Sequence, residues 1–237
     1  MCENKFHFSN FVMGVVTLLS LSSCEGIFSG IYDNAIQTDK EFGFVLHNEK
    51  SHRGRIYIDA SDRTKWHYIS FGSRQVEEVT MNVVMTDTLI DNTPSRDTTV
   101  VNPVPEEWDF AIHRYDVKTN QGAAKETDFT DLDKFEASFA DSDQGYVEDI
   151  WTTDKISVDL SHMMDGIVVC AEDFFNPTLS RWMNTDTSSM PPTYTLSHRI
   201  YVLRMADGRR AALKLVNYLS ESAQSGVLTI DYIYPFE

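Results

Sequence analysis

The stretch Met190-Pro-Pro-Thr-Tyr-Thr-Leu-Ser-His-Arg-Ile-Tyr-Val-Leu-Arg-Met205 is followed by Ala206-Asp-Gly-Arg209 and by two further apolar runs, Ala211 to Leu219 and Val227 to Tyr234. Apolar residues recur there at every second position, which is typical of strands with one apolar face; they are Tyr194, Leu196, Ile200, Val202, Leu228, Ile230, Tyr232 and Tyr234. Asp207-Gly208 predicts a tight hairpin between two of these runs, because glycine supplies the positive φ that such a turn needs. We therefore predict that the chain ends in an antiparallel meander.

The chain from residue 42 onward has mainly strand-like patterns. Runs of β-rich or alternating composition occur at 42–46, 55–60, 66–71, 108–117, 156–160 and 167–170. Asp128 to Phe139 has the period of a helix, because its apolar residues are spaced by three or four positions. Asp87 to Pro105 is rich in Asp, Thr, Asn and Pro and is predicted to leave the core as a surface excursion. We expect a mainly β protein, with a single all-β domain of antiparallel strands and hairpins over residues 42–237 and one short helix.

Residues 1–23 have the pattern of a bacterial lipoprotein signal peptide. Lys5 precedes a short apolar run, Phe11 to Leu19, and Leu21-Ser-Ser-Cys24 closes it with small residues and a cysteine. In such signals the cysteine becomes the lipidated first residue of the mature protein, and the run is too short for a comfortable bilayer span. We therefore predict lipidation at Cys24 and a tether over residues 24–41, so that the lipid alone holds the protein at the membrane.

The composition and the absence of motifs argue against several functions. The net charge is -16, and no basic cluster with interleaved aromatic residues is present, so we expect no nucleic-acid partner. Of the 3 cysteines, only Cys170 remains after the signal peptide and Cys24 are set aside, which leaves no pair for an internal disulfide. The histidines after the signal peptide lack the spacing of a helical zinc site, and no nucleophile elbow, phosphate loop or HExxH motif occurs. We expect a binding protein rather than an enzyme, with a hydrolase the least supported class.

Three methionines lie in polar surroundings instead of in apolar runs. Met163 and Met164 occupy a predicted turn between two strands, and Met190 lies in the polar loop before Pro191-Pro192. One interpretation is simple exposure, or packing over a small satellite cluster, since methionine fills irregular gaps. The other is a soft thioether ligand, which suits haem iron or copper and suits magnesium or calcium poorly.

Several segments, in the same order along the chain, resemble the HmuY family of haem-binding lipoproteins, or haemophores, of Gram-negative anaerobes. They are 66–71 (WHYISF), 108–117 (WDFAIHRYDV), 192–202 (PTYTLSHRIYV), 206–208 (ADG) and 229–235 (TIDYIYP). The resemblance runs from about Ile56 to the C-terminus. It implies a right-hand fold that grasps haem between thumb and fingers, and an outer-membrane lipoprotein on the cell surface or the periplasmic face that passes haem to a TonB-dependent receptor.

The resemblance also implies where the haem ligands lie. The two axial ligands of the family come from a turn between strands and from a loop shortly before the PTYxLS motif; the founding member uses histidine at both positions and relatives use methionine. The second position aligns with Thr187 here, which cannot serve, so Met190 is the natural substitute. The first ligand is then Met163 or Met164, with His162 as a fallback. His113, in the HRYDV motif, belongs to the scaffold and is not expected to be a ligand.

Other residues of these loops are available to the porphyrin. Trp182, Tyr194 and Phe174 or Phe175 could supply apolar faces, and Arg181 is a local cation for the propionates. Thioether ligation favours ferrous iron, so we expect haem to be held better when reduced. The alternative function is a cell-surface interaction lipoprotein on the same fold that binds a protein, a glycan or another non-haem ligand, because fold alone does not determine function.

Overall fold

The structure is a computed structural model that describes residues 41–90, 93–99, 103–186, 188 and 192–236, with only the backbone of 82–90 and 93–99. The predictions for residues 1–40, lipidation of Cys24 included, lie outside the described residues. The strands are β1 (Gly43–Asn48), β2 (Arg53–Asp59), β3 (Lys65–Ser70), β4 (Gln75–Thr80), β5 (Asn82–Ile90), β6 (Thr93–Thr99), β7 (Phe110–His113), β8 (Asp116–Thr119), β9 (Ala123–Glu126), β10 (Val147–Glu148), β11 (Ile150–Asp159), β12 (Val169–Phe175), β13 (Met183–Asp186), β14 (Thr193–Leu196), β15 (Tyr201–Arg204), β16 (Arg210–Leu219) and β17 (Ser225–Ile233). The α-helix is α1 (Leu132–Ser138), and two 3₁₀ turns span Met163–Asp165 and Leu179–Trp182.

The strands form two larger sheets and three separate hairpins. The seven-stranded sheet has the order β1-β2-β17-β16-β15-β9-β10, and the four-stranded sheet has the order β4-β3-β7-β8. The hairpins are β5–β6, β11–β12 and β13–β14. Every pair whose register is defined is antiparallel. The predicted mainly β class of antiparallel strands and hairpins is therefore confirmed.

The predicted C-terminal meander is present, but its first run is broken. β15 pairs with β16 across a turn in which Gly208 has φ +89, and β16 pairs with β17. The run from Thr193 to Arg204 is divided between β14 and β15, which belong to different sheets. The segment between them bonds elsewhere, because Ser197 N donates to Trp182 O and Ile200 N donates to Phe129 O, both at 2.9 Å. One continuous alternating pattern in the sequence therefore corresponds to two strands, β14 and β15, in different sheets.

A second alternating run, residues 108–117, also folds differently from the prediction. It forms β7 and the start of β8, joined by a tight turn at Arg114 and Tyr115. Arg114 has φ +56, a left-handed conformation that favours glycine, asparagine or aspartate. Because neither turn residue is one of these types, local sequence gave no signal for the reversal. This turn proves central to the candidate site.

The predicted helix exists but is shorter than its apolar pattern. It begins after Asp131, whose side chain accepts a 2.9 Å hydrogen bond from Lys134 N as an N-cap. Phe135 is fully buried, and the ring centroids of Phe129 and Phe139 lie 5.6 and 4.6 Å from its own. The aromatic residues of 128–139 thus share one cluster, although only Leu132–Ser138 is helical.

The main core lies between the seven-stranded and four-stranded sheets. It contains fully buried residues from both, such as Ile56, Leu213 and Ile230 from the larger sheet and Phe110 and Ile112 from the smaller one. Each such side chain stabilises the fold by about 1.5–3 kcal/mol relative to exposure. No helix among the described residues has the length and apolar character needed to cross a bilayer. The two packed sheets form the scaffold to which the three separate hairpins are attached.

Candidate functional site

The first arm, as we call the β11–β12 hairpin, attaches to the scaffold beside the Arg114–Tyr115 turn. Arg63 Nη1 donates to Ser157 Oγ of β11 at 2.7 Å. His113 Nε2 lies 2.7 Å from the backbone oxygen of Arg63. Because a carbonyl oxygen only accepts, Nε2 carries the proton in this contact. His113 is completely buried, so it serves as a link within the scaffold, as the sequence predicted.

The second arm, the β13–β14 hairpin, attaches to the Arg114–Tyr115 turn itself. Trp182, directly before β13, donates from Nε1 to the backbone oxygen of Tyr115 at 2.8 Å. The ring centroid of Tyr194 in β14 lies 5.3 Å from that of Tyr115, and the Tyr218 hydroxyl donates to Tyr194 O at 3.3 Å. The second arm is therefore held by Tyr115 directly, whereas the first arm is bonded to Arg63, which contacts His113 beside the turn.

The end of the first arm carries three of the predicted ligands. Met163 begins a 3₁₀ turn that is closed by bonds from Gly166 N to Met163 O at 3.0 Å and from Ile167 N to His162 O at 3.1 Å. Gly166 has φ +78, which a glycine adopts without strain. This backbone network fixes where the side chains of the turn begin.

The three side chains differ in exposure. Met164 is 84 % exposed, whereas Met163 is partly buried. The His162 side chain is 58 % exposed, and its Nδ1 lies 3.5 Å from Asp165 Oδ2, beyond ordinary hydrogen-bond length. Of the three, Met163 is the side chain most constrained by its surroundings.

The other predicted ligand, Met190, lies outside the described residues, as does Thr187. The ends of the segment that contains it are well defined, because Asp186 of β13 pairs with Thr193 of β14. The register continues through Thr185 and Tyr194 toward the scaffold. The pairing of Met190 with a residue of the first arm therefore remains a prediction.

Three of the other residues predicted to contact the porphyrin lie in surroundings that do not suit this contact. Trp182 is completely buried in the main core, so its face is not available to a ligand. Phe174 lies at the opposite end of the first arm from Met163, next to Trp151 at a centroid distance of 5.3 Å. Arg181 Nη2 donates to Glu126 Oε2 at 2.8 Å, so this cation already has a carboxylate partner. Tyr194 remains suitable, because it is partly buried and lies in the second arm.

Arg114 is a functional candidate that sequence reasoning assigned only to a scaffold motif. Its Nη1 donates to Ser225 O at 2.6 Å and to Ser61 O at 3.4 Å, and its Nη2 donates to Ser225 Oγ. Its Nε is buried without a hydrogen-bond partner, and no carboxylate of the described residues pairs with the guanidinium. Burial lowers the pKa of Arg114 from its ordinary value. A partly buried cation without a carboxylate partner among the described residues, next to the residue that holds the second arm, suits an anionic group of a ligand.

Five surface cavities formed by the described residues are lined by other parts of the chain than the methionine turn of the first arm. Nor do the described histidine, cysteine and acidic side chains come together in threes as a metal site requires. Neither finding bears on thioether ligands. The described residues thus place thioether sulfurs at the end of the first arm, on Met163 and Met164, and the partly buried Arg114 guanidinium beside the anchor of the second arm.

Comparisons with known proteins agree on one family. A family model described as HmuY protein matches residues 62–232. A solved structure described as a HmuY-like heme binding protein from Bacteroides vulgatus has 44% sequence identity and a TM-score of 0.71, over 83% of this chain and 100% of that one. A protein of Bacteroides fragilis, described as a lipoprotein, has 41% identity and a TM-score of 0.72, over 85% and 99% of the two chains.

A more distant structure shows the fold alone. The apo HmuY analog of Tannerella forsythia has 24% identity and a TM-score of 0.60, and the match covers 76% of this chain and 94% of that one. A search among curated proteins found no match.

Proposed function

The chain belongs to the HmuY family, and from that premise we propose that it is a haem-binding protein of the cell envelope that holds its cargo between the two arms. The observation that carries the proposal is that the two arms are anchored close together, the second arm on Tyr115 and the first arm on Arg63, whose backbone oxygen contacts His113 next to the Arg114–Tyr115 turn. Such an arrangement lets two loops approach a flat ligand from different strands while the scaffold stays rigid. Haem is the cargo here, and no catalytic role is proposed.

We assign the axial ligands to Met190 and Met163. A thioether is a soft ligand that haem iron accepts. Met163 is favoured over Met164 because its side chain is partly buried on a turn fixed by backbone bonds, whereas Met164 is 84 % exposed. Ordering a free methionine side chain costs up to about 2 kcal/mol. A side chain that is already confined loses less entropy when it binds iron.

Methionine ligation has a consequence for the oxidation state of the cargo. Neutral thioethers donate weakly and stabilise ferrous relative to ferric iron, which raises the reduction potential. The protein should therefore hold reduced haem more tightly than oxidised haem. This selectivity suits a cell envelope in an anaerobic habitat.

Arg114 is proposed to neutralise a haem propionate. Its guanidinium is partly buried next to Tyr115, which holds the second arm, and lacks a carboxylate partner among the described side chains. A charge-assisted bond to a carboxylate is roughly twice as strong as a neutral hydrogen bond. Arg181, the cation suggested by its sequence position, is a weaker candidate because Glu126 already pairs with it.

Anchoring and transfer complete the proposal. The signal pattern of residues 1–23 and the lipidation site at Cys24 would hold the protein at the outer membrane through lipid alone, on the cell surface or the periplasmic face. The similarity to a lipoprotein of Bacteroides fragilis supports an envelope location. The recipient of the haem is proposed to be a TonB-dependent outer-membrane receptor.

An absorbance titration with haem tests the function directly. The purified protein should bind haem one to one with a sharp Soret band, more tightly after reduction with dithionite than in the oxidised state. Met190→Ala should abolish the sharp band in the reduced state. A broad, non-saturating spectrum identical to that of free haem in both states would refute haem binding. Tighter binding of oxidised than of reduced haem would refute methionine ligation but not haem binding.

A further inference from the structure

A separate cavity of about 430 Å³ lies at the base of the first arm, between that hairpin and β8. Its walls include Tyr68 of β3, Lys118 of β8 and Phe174 of β12. Phe174 pairs with Trp151 near the start of β11, whereas the methionine turn follows the other end of that strand at Asp159. Its volume is in the range of small-molecule sites in proteins. The cavity is therefore distinct from the proposed haem site.

Aromatic rings form the apolar part of the cavity. The rings of Tyr68 and Trp108 meet edge to face, with centroids 5.0 Å apart. Phe174 is 50 % exposed at the rim, and its ring packs against that of Trp151, which is 56 % exposed. Adjoining exposed apolar groups often mark a binding groove or an interaction site. A ligand with an apolar face can stack on them.

The polar part of the cavity has unused hydrogen-bonding capacity. Lys118 is buried, and its ammonium has three protons, of which one is donated to Asp173 Oδ2 at 2.7 Å. Tyr68, a residue 3 % exposed, carries a hydroxyl that can both donate and accept a hydrogen bond. Asn120 donates from Nδ2 to Trp108 O at 2.8 Å, which leaves its amide oxygen to accept.

Charge and polarity narrow the class of ligand. The lining carries Glu148, Asp149 and Asp173 against Lys118, so an anion would be repelled. A cation has no free aromatic cage, because the Lys118 ammonium already lies 4.1 Å from the Trp66 ring centroid and 5.2 Å from that of Tyr68. A purely apolar side chain of a partner protein would leave Lys118 and Tyr68 buried without new partners. Each such loss costs about 1–3 kcal/mol.

We propose that this cavity binds a neutral carbohydrate, as a free sugar or as the end of a glycan, independently of haem. A sugar ring has an apolar C–H face for Trp108 and Phe174, and hydroxyl groups that both donate and accept at its edge. The hydroxyls can accept from Lys118 and Tyr68 and donate to Asn120. An anion, a cation or a purely apolar group does not satisfy the aromatic and the polar walls together.

Saturation-transfer NMR on the full protein tests the proposal, with D-glucose, D-galactose, D-mannose and N-acetyl-D-glucosamine as probes. At least one sugar should receive saturation at its ring C–H protons. Phe174→Ala should weaken that binding about fivefold, since it removes a stacking ring, and Gln121→Ala at the rim should weaken it less. Phe42→Ala is the matched control, because Phe42 is 48 % exposed and does not line this cavity.

The outcomes separate this proposal from the haem function. Phe174→Ala should bind haem with the same affinity as the wild type. Sugar binding would support this proposal whether or not the protein binds haem. Saturation of none of the four sugars would overturn the proposal. So would binding of anilinonaphthalene sulfonate that Phe174→Ala removes while no sugar competes with it, since that result would indicate an apolar protein contact. Equal weakening by Phe42→Ala would also overturn it.

Discussion

The indole nitrogen of Trp182 donates a 2.8 Å hydrogen bond to the backbone oxygen of Tyr115, in the turn that joins β7 and β8. Tyr115 in turn contacts Tyr194 in the second arm. Trp182 was expected from its sequence position to supply an apolar face for the porphyrin. It instead links the second arm to the scaffold. The geometry of the candidate site depends on this bond more than on any direct contact of Trp182 with a ligand.

Trp182→Phe should lower the free energy of unfolding by about 1–3 kcal/mol, because a buried carbonyl loses its donor and the core loses volume. Urea unfolding followed by circular dichroism measures the change. Trp151→Phe is the control: Trp151 is 56 % exposed, so its replacement should stay within about 0.5 kcal/mol. Equal effects of the two substitutions would contradict the assigned role of Trp182.

Met163→Ala should weaken the binding of reduced haem about 100-fold or more, since even outer-shell partners of metal ligands cost about 10- to 100-fold when removed. Met164→Ala, one residue on in the same exposed turn, should bind haem as the wild type does. The measurement is the absorbance titration under dithionite. The reverse ranking would assign the ligand to Met164, and loss of binding in His162→Ala alone would assign it to His162.

Arg114→Gln should weaken haem binding about tenfold, as expected for a charge-assisted hydrogen bond to a carboxylate. The same substitution should leave the binding of haem dimethyl ester, which lacks charged propionates, unchanged. Because Arg114 also bonds to Ser61 and Ser225, a purely structural role would weaken both ligands equally, and that result would refute the assignment. Arg181→Gln is the control and should affect neither ligand.

Asp141 anchors a charge cluster beside the helix, and this cluster should make stability depend on pH. Its carboxylate accepts from Lys125 Nζ and Arg210 Nη1, both at 2.8 Å, and from the Tyr146 hydroxyl at 2.5 Å. Burial opposes ionisation, but these bonds hold the pKa of Asp141 well below its usual value of 3.8. Its contribution is therefore complete above the pKa of the unfolded chain and is lost as the pH falls through the lower pKa of the folded state.

Asp141→Asn should consequently lower the free energy of unfolding by about 2 kcal/mol at neutral pH. The difference in the free energy of unfolding between this variant and the wild type should shrink as the pH falls from about 5 to about 2. Urea unfolding at each pH measures this difference. Asp143→Asn serves as control, because the Asp143 side chain is fully exposed and should change stability little at any pH. A difference for Asp141→Asn that stays constant with pH would argue against the assigned pKa.

The elements that sequence reasoning found are those encoded by near neighbours. The β15–β16 hairpin was predicted from Asp207-Gly208, and the helix from the spacing of its apolar residues. The turn at Arg114 was missed, because its left-handed conformation carries no glycine or asparagine. The base of the first arm was also missed: β11 begins at Ile150, and five of its first six residues are exposed, so that this part of the strand shows no alternation of buried and exposed positions.

For the site, the sequence predicted which loops carry the haem ligands. The tertiary structure showed which contacts hold the two arms on the scaffold. Met163, Met164 and Met190 stood out as methionines in polar loops, and the family resemblance then implied that these loops carry the axial ligands. Exposure then separated Met163 from Met164. Nothing in local sequence indicated that Arg114 lacks a counter-charge or that Phe174 borders a second cavity, since both depend on which chains pack around them.

By itself, the sequence determined the strand-rich class, the closing meander and the short helix. These features depend on residues two to four positions apart, whose periodicity and turn chemistry act locally. Only the tertiary structure decided that Trp182 is scaffold, that Arg63 ties down the first arm and that Arg114 meets Ser225. Those contacts join residues 67, 94 and 111 positions apart, and they form because burial in a shared core selects partners that no local pattern specifies.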